Sequence, residues 1–416
     1  MTHTVQQSQT DQISQGAKLA VNVTEYQARR RRVQTALEGA VGIVYAGDAH
    51  SEDFQVEPSF FYLTGIANEP GAILLFDAKA ENPERACVLF LKPRDIELEA
   101  WEGYRDPINS ALKSRHGFDT VQRTSSFSTI FSGAIRRSKR AACLHQFARH
   151  EAPVSPDLVT FRKAAERIPG VAIEDKTDLL ARLRSIKGEE EIAIMRAAMR
   201  ATKAGYDAAA RTIKPGANET DVTRAITRAF EDAGGDGHAY GPIVGTGANA
   251  CVLHYRANNA PILANQVLVI DAGTKVAGYH ADVTRAFPTS GAFSDRQKYI
   301  YNLVLEAQLA SIAAVKPGVT MYEVDKASRD IFRREKLQDA YLHGIGHQLG
   351  LETHDITPDG PLQPGMVITI EPGLYLLDEA LGVRIEDDVL VTHGGCEVLT
   401  RDIPKTADEV ERWMRE

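Results

Sequence analysis

Two acidic residues lie directly beside apolar runs in the stretch VLVIDAGTKVAGYHADVTRAF, residues 267–287. Residues 267–270 lead straight into Asp271, and a second segment that starts at Gly278 carries Asp282 before Val283. Short apolar runs bounded by glycine predict buried strands, so the stretch predicts a hairpin with one acid on each arm. An unpaired buried carboxylate is costly, so a positive charge must lie between the two acids, and a metal ion is the simplest candidate.

Three further residues could complete a metal site. His347 lies in the segment HGIGHQLGLETHD, Glu371 follows the apolar run at 367–370, and Glu386 follows residues 383–385. Four carboxylates and one imidazole suit hard or borderline divalent ions, with Mn²⁺ first and Co²⁺ or Zn²⁺ as alternatives. Five ligands exceed one tetrahedral site, so they predict two metal ions with bridging carboxylates. Such a pair lowers the pKa of a shared water and polarises a carbonyl, which favours amide hydrolysis over redox chemistry.

Other interpretations of these residues remain open from the sequence. An Asp or Glu is most often a solvated surface group. His343 and His347 are four residues apart, as in the zinc-peptidase motif HExxH, but position 344 is glycine where that motif has its glutamate general base. His254, in the segment LHY, is equally compatible with a hydrogen-bonded core histidine.

The composition sets the class of protein. A chain of 416 residues is too long for one ordinary core, so two domains are expected. The net charge of −8 gives no reason to expect nucleic acid or an anionic membrane as a partner, and no apolar run is long enough to span a bilayer. The four widely spaced cysteines suit a reducing cytoplasm, and residues 1–20 predict a loose polar tail without the apolar segment of a signal peptide.

The first half of the chain predicts an α/β domain over residues 21–176. A basic helix at 26–38 precedes the strand VGIVYAG at 41–47. Further apolar segments bounded by turn residues predict strands at 60–65 (FFYLTG), 71–76 (GAILLF) and 86–91 (ACVLFL), and helical stretches are predicted around 105–115 and 156–168.

The second half contains an internal repeat. IKPGANETDVTRAITRAF begins at Ile213 and VKPGVTMYEVDKASRDIF begins at Val315, and each copy predicts a helix that opens with a capping box. A helix is predicted before the first copy, at 188–214, and strands are predicted after each copy, at 242–255, 266–287, 366–375 and 383–392. The repeat therefore predicts an α+β domain with pseudo-twofold symmetry over residues 177–416, with its site between the two halves.

At these residues the sequence resembles the family of aminopeptidase P and Xaa-Pro dipeptidase (prolidase), whose catalytic domain has the pita-bread fold. The five ligand motifs occur in the family's order, and the segments FFYLTGIANEP and EAWEGYR extend the resemblance into the first half. The resemblance implies that Asp271 binds one metal, that His347 and Glu371 bind the other, and that Asp282 and Glu386 bridge both. It further implies that Glu371 is the general base for the bridging water.

The resemblance also implies substrate-binding roles. His254 and His354 would hydrogen-bond the scissile carbonyl and stabilise the tetrahedral intermediate, His343 would line the proline pocket, and Arg384 would bind substrate. Tyr375 resembles an active-site tyrosine whose role is not assigned. Family members are commonly homodimers or homotetramers, and Trp101 resembles a tryptophan that some of them contribute to a neighbouring subunit; packing within its own domain is the alternative.

The implied function is release of an N-terminal residue from a peptide with proline at the second position. Xaa-Pro dipeptidase is the nearest alternative. A creatinase-like hydrolase without metals conflicts with four clustered carboxylates, which would repel one another. A non-catalytic binding protein conflicts with the complete ligand set, and a methionine aminopeptidase conflicts with the long N-terminal segment.

Overall fold

The computed structural model describes residues 19–48, 54–146 and 153–416. The tail predicted for residues 1–20 lies, up to residue 18, outside the described residues. Among the residues described, no helix is both long and apolar enough to cross a membrane. All four cysteines are free thiols, in agreement with their wide spacing.

The N-terminal part is a six-stranded mixed sheet with helices on both faces. Its strands are β1 (Val41–Tyr45), β2 (Ile73–Asp77), β3 (Cys87–Leu91), β4 (Thr120–Arg123), β5 (Arg140–Cys143) and β6 (Ala172–Asp175), in the spatial order β4-β3-β2-β1-β5-β6. Its helices are α1 (Val23–Ala36), α2 (Pro58–Thr64), α3 (Ile96–Glu102), α4 (Ser110–His116), α5 (Phe127–Ser138) and α6 (Pro156–Arg167). Ile43 packs with Phe131 on one face and Val44 with Leu37 on the other, which explains why β1 reads as a continuous apolar run.

The predicted strand FFYLTG is wrong, because residues 58–64 form helix α2. The Glu57 carboxylate caps this helix by accepting a hydrogen bond from the backbone N–H of Phe60, at 2.7 Å. Pro58 occupies the first turn, and Gly65 ends the helix with a left-handed φ of 68°. These capping signals outweighed the strand preference of the aromatic residues.

The C-terminal part contains two antiparallel helix pairs that correspond to the two copies of the repeat. The helices are α7 (Thr177–Ser185), α8 (Glu189–Thr212), α9 (Glu219–Asp232), α10 (Asp295–Ala314), α11 (Met321–Arg334) and α12 (Ala407–Trp413). The predicted capping boxes of α9 and α11 are present. Ser328, the one polar residue on the repeat's apolar face, is buried and bonds to the Ser311 hydroxyl at 2.7 Å, so it is satisfied inside the core.

The strands that follow each helix pair carry the candidate ligands. They are β7 (Ile243–Thr246), β8 (Val267–Asp271), β9 (Lys275–Val276), β10 (Tyr279–His280), β11 (Thr284–Pro288), β12 (Val367–Ile370), β13 (Gly373–Leu376), β14 (Leu381–Arg384), β15 (Asp387–Thr392) and β16 (Gly395–Val398). β8 lies between β7 and β11, while β12 and β16 flank β15 and β13 pairs with β14. The predicted hairpin is present as β8 and β11, with Asp271 ending one arm and Asp282 just ahead of the other.

Three predicted strands are shorter than expected. The segment 242–255 contains a single strand, β7, followed by a 3₁₀ turn. The segment 366–375 is divided at Glu371 and the segment 383–392 at Glu386. The halves of each segment pair in different sheets, β12 with β15 and β13 with β14, and Pro372 has no N–H with which to continue the ladder. Both breaks leave an acid between two sheets.

The predicted boundary between the two parts, at residues 176 and 177, falls between β6 and α7 and stays a prediction.

Candidate metal centre

A cavity of about 420 Å³ is lined by residues from both copies of the repeat. Every residue predicted for the site lines it, namely His254, Asp271, Asp282, His343, His347, His354, Glu371, Arg384 and Glu386. The two acids of the first half end or precede strands β8 and β11, whereas the two acids of the second half occupy the breaks between β12 and β13 and between β14 and β15. The pseudo-twofold arrangement therefore brings four carboxylates to one point.

Three of the predicted ligands already lie within coordination range of a single ion. Asp282, His347 and Glu386 offer ligand atoms that lie within 4.8 Å of one another. The Nε2 atom of His347 also lies 3.4 Å from Oε1 of Glu371. The fifth ligand, Asp271, is linked to Asp282 by the Tyr240 hydroxyl, which donates to both carboxylates and lies 2.5 Å from Oδ1 of Asp271.

The loop that carries His347 is not helical, so the HExxH interpretation is excluded. A side chain at Gly346 would overlap the carbonyl oxygen of Thr369, so glycine lets the loop approach β12 closely. The Thr369 hydroxyl accepts the backbone N–H of His347 at 3.0 Å and donates to Oε1 of Glu371 at 3.2 Å. Nδ1 of His347 bonds to the carbonyl oxygen of Gln348, which directs Nε2 and its lone pair at the acids.

The electrostatics of the cluster favour a bound cation. Burial and the nearby Asp271 and Asp388 raise the pKa of Asp282 well above its usual range, and burial together with Asp282 does the same to Glu386. Burial raises the pKa of Glu371 to about 8, against the lowering effect of Arg384. Burial lowers the pKa of His347 to about 4, so its ring is neutral and available as a ligand at neutral pH.

A buried acid with a structural role is different, as the neighbouring Asp387 demonstrates. Arg285 and Lys405 contact its carboxylate at 2.7 Å each, and together they outweigh burial and lower its pKa to about 2. Asp282 and Glu386 face other acids instead. An oxygen-rich set with one imidazole and an excess of negative charge fits divalent metal ions, which Asp271, Asp282, His347, Glu371 and Glu386 would hold.

The metal-free protein is expected to lose stability as the pH rises from about 5 to about 8. In this range Glu371, whose pKa rises from its ordinary 4.5 to about 8, binds a proton in the folded state that the unfolded chain has lost. Thermal unfolding in EDTA across this range measures the effect. A saturating divalent metal should remove the decline, because it displaces the protons and, at 100 times its Kd, adds about 2.7 kcal/mol. A melting temperature in EDTA that rises with pH would contradict this account.

The residues predicted to bind substrate form the cavity wall. The His354 ring stacks on His347 with 3.9 Å between centroids, and His254 is exposed at the cavity. Nε2 of His343 bonds to the Tyr375 hydroxyl at 2.8 Å. Arg384 is buried and bonds to Tyr375, to Thr284 and, at 2.6 Å, to Asp271. The substrate-binding roles of these residues stay predictions.

Sequence reasoning missed the groups that hold the ligands. Besides Tyr240 and Thr369, these are Thr284, whose hydroxyl donates to Glu386 at 2.6 Å, and Asp388, whose carboxylate accepts the backbone N–H of Asp282 at 3.2 Å. Threonine is common in strands, so its presence in β11 and β12 gave no separate signal. Asp388 in the pair Asp387-Asp388 was the one visible hint, since adjacent acids in an apolar strand need partners.

Trp101 does not pack within its own domain, so that alternative is wrong. Its side chain is 89% exposed, and Ile96 and Tyr104 beside it are 85% and 86% exposed.

The fold and the site together define a metal-dependent hydrolase with a pita-bread catalytic domain. Residues 193–393 match metallopeptidase family M24, and residues 26–143 match the aminopeptidase P N-terminal domain. The chain is 31% identical to the Xaa-Pro aminopeptidase of Haemophilus influenzae and 30% identical to that of Escherichia coli; each alignment covers 94% of this chain and 97% of the relative. The structure of Pseudomonas aeruginosa aminopeptidase PepP matches with a TM-score of 0.84 at 30% identity, covering 95% of this chain and 99% of that one. The chain belongs to metallopeptidase family M24, and the predicted family and fold are confirmed.

Proposed function

We propose that this protein is a metal-dependent exopeptidase that releases the first residue of peptides with proline at the second position. The observation that carries the proposal is the cluster of Asp282, His347 and Glu386 at a cavity whose wall holds His254 and His354. The names of the relatives supply the substrate class, since the two curated proteins above are called Xaa-Pro aminopeptidases.

The five ligand residues would hold two divalent ions, with Asp282 and Glu386 as the bridging carboxylates. When bound, the ions acidify a water and polarise the scissile carbonyl. The Glu371 carboxylate takes a proton from the water as its oxygen attacks the carbonyl carbon, and this proton then reaches the departing proline nitrogen. The N–H groups of His254 and His354 donate to the carbonyl oxygen as it gains negative charge.

The wall on the other side of the acids suits the proline ring. The Xaa-Pro bond is a tertiary amide, so the ring nitrogen offers no N–H to a protein acceptor. Burial lowers the pKa of His343 to about 4, further aided by Arg384, so its ring is neutral. Held by the Tyr375 hydroxyl, this neutral ring provides a flat face on which the pyrrolidine could pack.

The remaining assignments belong to the same proposal. Mn²⁺ is the metal we favour, with Zn²⁺ and Co²⁺ as alternatives, because the ligands are chiefly oxygen. We place the protein in the cytoplasm as a homodimer or homotetramer that acts on peptides and not on nucleic acid or membranes. We place the catalytic domain at 177–416 and the N-terminal α/β domain at 21–176.

Metal-stripped protein is expected to hydrolyse an Xaa-Pro-Xaa tripeptide only after Mn²⁺, Co²⁺ or Zn²⁺ is added, releasing the first residue. The matched control is the same peptide with alanine in place of proline, which should be cleaved far more slowly. Cleavage of the Xaa-Pro dipeptide alone would assign the protein as a dipeptidase. Activity that survives complete metal removal, or no cleavage with any metal, would overturn the proposal.

A further inference from the structure

A buried ionic cluster lies directly behind the loop that carries His354. Arg184 ends helix α7, Lys187 precedes α8, and Asp355 follows His354 in the chain. Nη2 of Arg184 contacts Oδ1 of Asp355 at 2.5 Å, and Nζ of Lys187 lies 3.4 Å from Oδ2 of the same carboxylate. The three side chains are at most 2% exposed, so the carboxylate is held by two cations away from solvent.

The cluster fixes the loop tightly on this side. Nη2 of Arg184 also bonds to Glu352, at 2.6 Å, so one guanidinium holds the loop on both sides of His354. A side chain at Gly350 would overlap the Asp355 carboxylate, which shows how closely the loop packs on the cluster. Nη1 of Arg184 donates to the Ser59 hydroxyl in α2, so the same group ties the loop to the N-terminal part.

His354 itself has a different environment. Its side chain is exposed in the cavity and stacks on His347, while the residue before it, Thr353, bonds to Nδ1 of His280 at 2.9 Å. The ring therefore projects from a backbone segment whose two neighbours are both anchored. A buried ion pair stabilises little by itself, because desolvation offsets most of the attraction, but it defines geometry well. A ring that must meet a carbonyl oxygen needs such definition.

We propose that Arg184 and Lys187 are positioning residues that set the His354 ring through Asp355, and thereby couple the N-terminal part to the catalytic loop. This inference rests on the proposed function, in which His354 donates to the carbonyl oxygen. Arg184 and Lys187 touch neither the five metal ligands nor the cavity wall, so they act on the reaction only through the loop.

The test is a double-mutant cycle between Arg184→Gln and His354→Ala. Arg184→Gln alone is expected to lower kcat on an Xaa-Pro-Xaa peptide by up to about 100-fold with a small change in KM, because a misplaced catalytic group costs rate and not binding. In the His354→Ala background the same substitution should change kcat by less than about 2-fold, because the group it positions is gone. All variants are compared at equal metal content.

The matched control is Arg29→Gln. Arg29 forms an equally buried ion pair with Glu191 at 3.0 Å, also between the N-terminal part and α8, but it does not contact the loop. We expect Arg29→Gln to lower the melting temperature as much as Arg184→Gln does while leaving kcat within about 2-fold of wild type. If Arg184→Gln does not fold, Asp355→Asn, which keeps the side-chain shape, takes its place in the cycle.

A spectroscopic readout separates this inference from the proposed function. The ring resonance of His354, assigned by its loss in His354→Ala, should shift in Arg184→Gln and not in Arg29→Gln, whether or not the protein cleaves the peptide. A wild-type protein without activity would overturn the proposed function alone. An unchanged ring resonance, or an equal loss of kcat from Arg184→Gln with and without His354, would overturn the positioning role.

Discussion

Replacing Asp282 by asparagine is expected to reduce metal-dependent peptide hydrolysis by far more than the roughly 100-fold that loss of an outer-shell partner costs. Asp282 is 4% exposed, lies 3.6 Å from Nε2 of His347, and belongs to the compact ligand group with Glu386. The amide keeps the shape of the side chain but loses the charge that holds a cation. Metal affinity by calorimetry and kcat/KM at saturating metal are the measurements.

The same substitution should have the opposite effect on the metal-free protein. Because the pKa of Asp282 is raised well above its usual range, its carboxylate destabilises the fold at neutral pH, so metal-free Asp282→Asn should melt at a higher temperature than metal-free wild type. The matched comparison is Asp387→Asn, which removes a carboxylate that Arg285 and Lys405 satisfy and should lower the melting temperature with or without metal. Unchanged metal affinity in Asp282→Asn would remove this residue from the ligand set.

The ligands were predictable because each follows a local pattern. Asp271 and Glu371 each end an apolar run of four residues, and such runs are buried strands wherever they occur. An acid at the end of a buried strand needs a partner, and repetition of that feature across the chain indicated a shared one. The repeat likewise predicted both helix pairs, because capping boxes and apolar spacing are properties of a few neighbouring residues.

The remaining features depend on contacts between distant residues. The strand breaks at Glu371 and Glu386 arise because β12 and β13 pair with different partners, which a run of apolar residues does not reveal. Tyr240 reaches Asp271 and Asp282 from a loop without any distinctive pattern. The cluster around Asp355 joins residues 168 and 171 positions apart, so neither its acid nor its cations were visible as a group.

Glutamine at position 371 is expected to lower kcat by about 10³-fold, within the range that a general base contributes, with a smaller change in KM. Glu371 lies 3.4 Å from Nε2 of His347 and its side chain is 17% exposed to the cavity, so it borders both the metal ligands and the space for substrate. A glutamine amide cannot take the proton of the attacking water. It keeps a carbonyl oxygen that can still accept from Thr369, so the local fold should be retained.

Metal loss and base loss can be separated at this position, because Glu371 is proposed to bind one ion whereas Asp282 bridges both. Glu371→Gln should therefore retain more metal than Asp282→Asn, and rates normalised to metal content should still fall by about 10³-fold. Thr369→Ser, which keeps the hydroxyl that contacts Glu371 and His347, is the matched control and should retain activity. If Glu371→Gln at full metal occupancy remained within tenfold of wild type, the proton would have to go to another group, and His354, whose ring stacks on His347, would be the next candidate.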